Sequence, residues 1–385
     1  HSEISLAHVE NQEYDTDMLK PNPNVAAMAA YALPDITAEG PGAPIVLAQN
    51  EHALPPSPAT IAAAEAAMRQ AQLYSDSDWT TLRQCIADVH DLDPDHIVCG
   101  VGSMELMAGL VQAYLSDSDR LLMSDHGYLL MRTLAKLAGS PVDSVAEPDY
   151  RMDIDAMIAT VRPETKLVFV VNPGNPCGTL VHNDEIRRLR ESLDDDVILL
   201  VDEAYAEFVP RGFHQPLFDL ALSGNTVITR TFSKIYGLAG MRVGWGYFPG
   251  EIRDQVRKVL LPGSVTAVSQ AAAVAAMHDR ESVRNALQLI TTEREYLERE
   301  LNRLGFKVIP SHTNFVLVDF GSPQAASRIF DILRKNRLVV RPMAGYGLPH
   351  CLRITISLAE HMHAIVQVLE GVGPDSNNSG PMARF

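Results

Sequence analysis

Lys234 stands in RTFSKIYGLAGMRVGWG, residues 230–246, between the strand-like TVITRTF and a glycine-studded turn. Lys20, Lys136, Lys166, Lys258, Lys307 and Lys335 lie in polar or amphipathic stretches and read as solvated surface. Only Lys234 is flanked by hydroxyls (Thr231, Ser233), glycines and an arginine, Arg242. Burial and nearby cations lower a lysine's pKa and free its amine as a nucleophile. This set of residues suits a carbonyl cofactor that carries a phosphate.

Three further stretches offer polar groups at the ends of apolar runs. Asp202 closes the run in VILLVDEAY. A helix cap or a salt bridge would explain that acidic pair, and so would the acidic strand end of a P-loop NTPase. The latter needs G-x-x-x-x-G-K-[ST], and the chain has no Gly-Lys dipeptide. CGVGSMELMAG follows the run HIVC and opens a helix. Glu105 occupies the place of the third glycine of a dinucleotide fingerprint, which excludes that reading, but a helix N-terminus after Gly102 can hold one phosphate. NPGNPCGTL, after KLVFVV, is a turn with two Asn-Pro pairs. Asn175, Asp202 and Lys234 thus end successive runs, with a phosphate-type helix start upstream and Arg242 downstream.

The elements that must position them follow from periodicity. HIVCG, RLLMS, KLVFVVN, VILLVDEA, TVITRTF and VGWGYF are short apolar runs separated by amphipathic segments, the pattern of a largely parallel sheet covered on both faces. In open sheets of this kind ligands bind outside the carboxyl ends of the strands. After Pro262 a long helical segment, roughly 265–304, precedes FKVI, TNFVLVDF, a helix near 324–335, RLVVRP, CLRITIS and a last helix, a smaller α+β pattern. At 385 residues the chain exceeds the length of a single core. The expected organisation is an arm over 1–45, a large α/β domain over 46–262, a small α+β domain over 263–371 and a loose tail over 372–385.

Composition excludes other classes. A net charge of −16 argues against a nucleic-acid partner. Cys85, Cys99, Cys177 and Cys351 are scattered and read as free thiols. His361 and His363, the one close histidine pair, point to different sides of a helix, so no metal site is expected there. No apolar run has the length of a membrane helix, and HSEISLAHVE lacks a signal pattern, so a cytoplasmic location is expected; the chain starts with His1, however, which is also compatible with a removed leader.

With NEHALPPSP, GVGSMEL, NPGNPCGT, VDEAYAEF, RTFSKIYGLAGMRVGW and VVRPMAGYGLPHCLRITIS on one chain, the sequence resembles the fold-type I aminotransferases over roughly residues 40–370, closest to the histidinol-phosphate aminotransferase branch. The resemblance implies an α/β fold with a large mostly parallel sheet domain wrapped by helices and a smaller α+β domain. It implies a transferase that uses pyridoxal 5′-phosphate and exchanges an amino group between an amino acid or amine and a 2-oxo acid by a ping-pong mechanism. It further implies that Lys234 binds the cofactor's aldehyde, that Asp202 pairs with the ring nitrogen, and that Asn175 and Tyr205 hydrogen-bond the ring's phenolic oxygen. Ser103 and Met104 (through their backbone), Thr231, Ser233 and Arg242 would hold the phosphate, and Tyr128 would stack on the ring. Tyr74 would reach the cofactor of a second subunit, making a homodimer with shared active sites. Arg353, Arg341, Asn50 and Leu54 would face the substrate, Arg353 at the α-carboxylate and Arg341 at the far end. A bridge from Arg341 to Glu51 or Asp125 is the other reading of that residue.

The chain departs from the family pattern at Met104, at His126-Gly127, at Cys177 and at Glu51-His52-Ala53-Leu54-Pro55, where a tyrosine is usual in place of Leu54. The last change bears on substrate choice. A decarboxylase of a phosphorylated amino acid, as in the similar threonine-phosphate decarboxylases, is the alternative activity on this scaffold; a non-catalytic ligand-sensing relative is disfavoured by intact Lys234 and Asp202.

Overall fold

A computed structural model describes residues 20–28, 37, 42–213 and 215–372. Most of the expected arm, and the expected tail beyond Val372, lie outside the described residues. The chain divides into two units, 1–33 and 34–385. In the first, one short helix, Pro23–Ala26, starts where the Asn22 side chain accepts from the Asn24 N–H and proline fills the first helical position.

In the second unit a two-residue strand, β1 (Ile45–Val46), precedes the seven strands of the main sheet. These are β2 (Ile97–Gly100), β3 (Arg120–Ser124), β4 (Val142–Val145), β5 (Thr165–Val171), β6 (Ile198–Asp202), β7 (Thr226–Thr231) and β8 (Gly244–Tyr247). Their order is β2-β8-β7-β6-β5-β3-β4, parallel throughout except at β8, which runs antiparallel to both its neighbours. Leu167 to Val171 and Ile198 to Asp202 are buried without interruption, as strands covered on both faces must be. The edge strand β4, VDSV, carries a proline before it and two polar residues, so its apolar signal is too thin to read. It is held because Asp143 takes a two-pronged bond from Arg120, at 2.6 and 2.7 Å.

A second, antiparallel sheet contains β9 (Lys307–Ile309), β10 (Phe315–Asp319), β12 (Arg341–Met343) and β13 (Leu348–Thr355) in the order β12-β13-β10-β9, while β11 (Leu338–Val339) pairs in parallel with β1. The expected single helix over 265–304 is two, Ala267–His278 and Arg280–Arg303. Asp279 breaks it: its backbone turns to ψ 69°, and its carboxylate accepts from the Ser282 N–H and hydroxyl to start the second helix.

Two polar groups are tied into this frame. Glu203, beside Asp202, forms the salt bridge that its sequence position allowed, to buried Arg230 at 2.7 Å, with Glu207 at 3.6 Å and the Phe218 ring under the guanidinium. The Tyr150 hydroxyl donates to Asp319 at 2.7 Å and lies 3.0 Å from His350 Nε2, linking the loop after β4 to the second sheet. All four cysteines are free and buried.

Candidate active site

The site forms where three neighbouring parallel strands end. After β5 the chain turns through Asn172-Pro173-Gly174-Asn175-Pro176, with both Asn-Pro bonds cis. Asp202 is the last residue of β6 and lies opposite Val171 of β5. β7 ends at Thr231, whose hydroxyl accepts from the Ser233 N–H at 3.0 Å; with Phe232 fully buried as an anchor, this tight turn delivers Lys234 to the same end of the sheet.

Lys234 is half-buried, with its amine turned inward, and its Nζ donates to the Asn50 carbonyl at 3.0 Å. Burial, then the Arg353 charge, lowers its pKa from 10.5 to about 7, against the opposing pull of Glu51 and Asp202. A large fraction of the amine is therefore neutral and nucleophilic near neutral pH. Burial drives Asp202 the other way, up to about 7, although the Thr229 hydroxyl donates to it at 3.1 Å. A carboxylate so placed gains most from a cation brought into the pocket.

Beside them lies a cradle for an anion. The helix Ser103–Tyr114 opens after Gly102, at φ +74°, with no side chain capping its first N–H groups. Gly244 packs so closely on it that a Cβ there would collide with the Ser103 nitrogen. A Cβ on Gly102 would come 2.9 Å from Arg242 Nη2, so the guanidinium abuts the helix start. The buried hydroxyl residues Thr231 and Ser233 complete the set. Helix N-terminus, guanidinium and hydroxyls together match a phosphate. Glu105, the residue out of place for a dinucleotide fingerprint, instead accepts from the Val101 N–H at 2.6 Å and the Ser264 hydroxyl at 3.1 Å, bracing the turn.

Arg353 on β13 reaches over the pocket. It is 4% exposed, donates to Asn175 Oδ1 at 2.6 Å and to the Ala48 carbonyl at 3.1 Å, and lies over the Phe315 ring, while its Nε has no partner. Residues 43–369 match the aminotransferase class I and II family. The chain belongs to that family. Among relatives, it is 39% identical to the histidinol-phosphate aminotransferase of Ruegeria pomeroyi, over 91% of this chain and 96% of that one. It is 40% identical to that of Granulibacter bethesdensis, over 91% and 95%. The structure of histidinol-phosphate aminotransferase from Sinorhizobium meliloti in complex with pyridoxal-5′-phosphate superposes with a TM-score of 0.82 at 25% identity, covering 92% of this chain and 98% of that chain. An aspartate aminotransferase from Thermus thermophilus, with a TM-score of 0.80 at 19% identity and coverage of 92% and 100%, shares the fold.

In this aminotransferase the residues expected around Lys234 are placed unevenly. Tyr205 sits with its ring 5.7 Å from Lys234 Nζ and its hydroxyl accepting from Asn50 Nδ2 at 2.9 Å. Tyr128 precedes the helix Leu129–Ala138 and is close enough to Arg353 to share its electrostatics. Met104 exposes its side chain at the helix start, leaving only its backbone for the cradle. Leu54 is exposed on a turn closed by His52, whose Nδ1 lies 2.9 Å from the Leu54 carbonyl, and the His52 ring packs against Gly237. Tyr74 is fully exposed in the single chain. Arg341 bridges neither Glu51 nor Asp125; the ion pair of Asp125 is with Arg132.

Asn50 is more than a substrate-side residue. Its backbone, at φ 54°, holds Lys234, and its side chain holds Tyr205. Thr229, Thr355 and Asn314 escaped the sequence reading because a lone Thr or Asn in a strand has no pattern of its own. Asn314, just ahead of β10, is buried.

Proposed function

We propose that this aminotransferase holds pyridoxal 5′-phosphate at Lys234 and exchanges an amino group between an amine or amino acid bearing a second anionic group and a 2-oxo acid. The observation that carries this is the pair of oppositely shifted groups, Lys234 and Asp202, each brought to about 7 in one pocket beside an anion cradle. Ser103, Met104, Thr231, Ser233 and Arg242 are the phosphate's residues in this reading, and Asn175, Tyr205 and Tyr128 those of the ring. When bound, the cofactor supplies a protonated pyridine ring that accepts the electron pair released at the substrate's Cα. Asp202 keeps that ring nitrogen protonated by holding its own negative charge against it. Freed by the incoming amine, the Lys234 amine would take the proton from Cα and hand it, on the same side, to the carbon of the former aldehyde, with the reverse transfer in the second half of the exchange. Arg353 would bind the carboxylate through a two-pronged edge of its guanidinium, trading its bond to Asn175.

Kinship with histidinol-phosphate aminotransferases at 39–40% identity favours a phosphorylated amine as donor, and Arg341, which has no ion pair among the described residues, is its phosphate partner. The working unit is a homodimer of two lobes per chain, 46–262 and 263–371, located in the cytoplasm. Its support is an exposed apolar face: Met104, Leu261, Leu73 and Tyr74 are exposed, and the bonds Ser264–Glu105 and Ser75–Gly263 hold their segments together. Absorbance changes of the purified protein, recorded against glutamate, histidinol phosphate and aromatic amino acids one at a time, test the reading. Conversion with glutamate and histidinol phosphate is expected; release of carbon dioxide without a keto product would overturn it.

A further inference from the structure

Asn50, against which the Lys234 amine rests, is fixed from several sides. Its N–H donates to Thr355 Oγ1 at 3.0 Å, its Nδ2 to the Tyr205 hydroxyl, and its Oδ1 lies 3.3 Å from the Thr355 hydroxyl. Its carbonyl takes two donors, Lys234 Nζ at 3.0 Å and Asn314 Nδ2 at 3.1 Å. A carbonyl oxygen has two lone pairs, so these two fill it.

Asn314 can present only its NH₂ here. It faces two carbonyls, those of Asn50 and, at 3.4 Å, Glu51, and an amide oxygen in that place would meet acceptors. Its own Oδ1 is buried with no hydrogen-bond partner among the described residues. Such burial destabilises, and an apolar side chain of equal size would avoid it, so packing does not explain the amide. Its backbone is anchored as well, the carbonyl accepting from the Ile356 N–H at 2.8 Å.

We propose that Asn314 is a positioning residue for Lys234: by filling one lone pair of the Asn50 carbonyl it leaves a place for a single N–H of the amine, whose own lone pair stays free to attack an aldehyde carbon. The inference rests on Lys234 being the cofactor-binding amine. A carbonyl oxygen that already accepts from one N–H is a weaker acceptor for a second, so Asn314 lessens the pull of the Asn50 carbonyl on an ammonium and favours the neutral amine, in the same direction as burial, Arg353 and Arg242 and against Glu51 and Asp202. Of the groups around Nζ, only Asn314 acts by occupying its acceptor.

The test is capture of added pyridoxal 5′-phosphate by cofactor-free protein, followed by absorbance from about pH 6 to about pH 10. Wild type, Asn314→Ala, the similarly sized Asn314→Leu, Thr355→Val and Lys234→Ala are compared. The wild-type rate is expected to rise through the pKa of the amine, about 7. In both Asn314 variants that inflection moves up and capture at neutral pH slows about threefold. Thr355→Val loosens Asn50 without freeing its carbonyl and keeps the inflection. An inflection unmoved in both Asn314 variants, or moved equally by Thr355→Val, overturns the proposal. Loss of fold in both, seen by circular dichroism, assigns Asn314 to folding and overturns it too. A borohydride-stable linkage in Lys234→Ala would overturn the assignment of Lys234 itself, and this inference with it.

Discussion

Arg341 on β12 stands directly across the ladder from Arg353 on β13. Like charges in that relation repel, and the Arg341 charge adds to the burial that lowers the pKa of Arg353. Neither guanidinium is paired with a carboxylate among the described residues. Two arginines paired across a ladder and without a carboxylate partner among the described residues would be stabilised by a ligand with two anionic groups. Arg341→Ala is therefore expected to weaken transition-state binding of phosphorylated or dicarboxylic substrates by about 2 kcal/mol, and to leave monocarboxylic amino acids nearly unaffected. Steady-state kcat/KM on both classes measures it; equal losses would make Arg341 a structural residue.

Among the described residues, Asp202 is a buried carboxylate at a strand end without an arginine partner, whereas its neighbour Glu203 has Arg230. Asp202→Asn keeps the shape and the Thr229 contact but removes the charge that holds a proton on a pyridine nitrogen. Cofactor binding should survive in part while turnover falls by several orders of magnitude. An unchanged rate would reduce Asp202 to a packing role.

The lysine carries a pH signature in the cofactor-free protein. Its folded pKa, about 7, lies below the ordinary 10.5, so between those values the unfolded chain binds more protons and stability rises with pH. The cost of the buried amine is full below about 7 and fades toward 10.5. Lys234→Met should therefore be more stable than wild type at neutral pH, by on the order of a few kcal/mol, with the gain vanishing in alkaline solution. Urea unfolding across pH decides it, and a pH-independent difference would refute the buried neutral amine.

Tyr74 lies fully exposed in the single chain, although its segment is tied to Gly263 through Ser75. If a second copy covers it, mixing inactive Lys234→Ala subunits with Tyr74→Phe subunits should restore activity, because each mixed dimer has one site free of both changes. No recovery after demonstrated subunit exchange would exclude a shared site.

Much of this site was legible in the chain because its residues end apolar runs. A buried strand fixes its end in space; Asp202 is the last residue of β6, and Asn175 and Lys234 follow the ends of β5 and β7 within a few residues, so all three could be placed at one end of the sheet from order alone. The same holds for the helix start after Gly102, where the missing cap is a local property. The edge strand β4 and the break at Asp279 were not legible. A polar edge strand is stabilised by its neighbour, here through Arg120, and a break between two helical patterns depends on one capping side chain.

The partners of Lys234 were decided only by the tertiary structure. Asn50 is 184 residues away in sequence, and Asn314 is 264 residues from Asn50. No periodicity relates residues so far apart; their meeting depends on how β10 and β13 pack over the ends of the main sheet. The sequence by itself determined which side chains could do the chemistry, because residue type and strand ends are local. The fold alone decided their protonation, because burial and the field of Arg353 exist only once distant segments have closed around the amine.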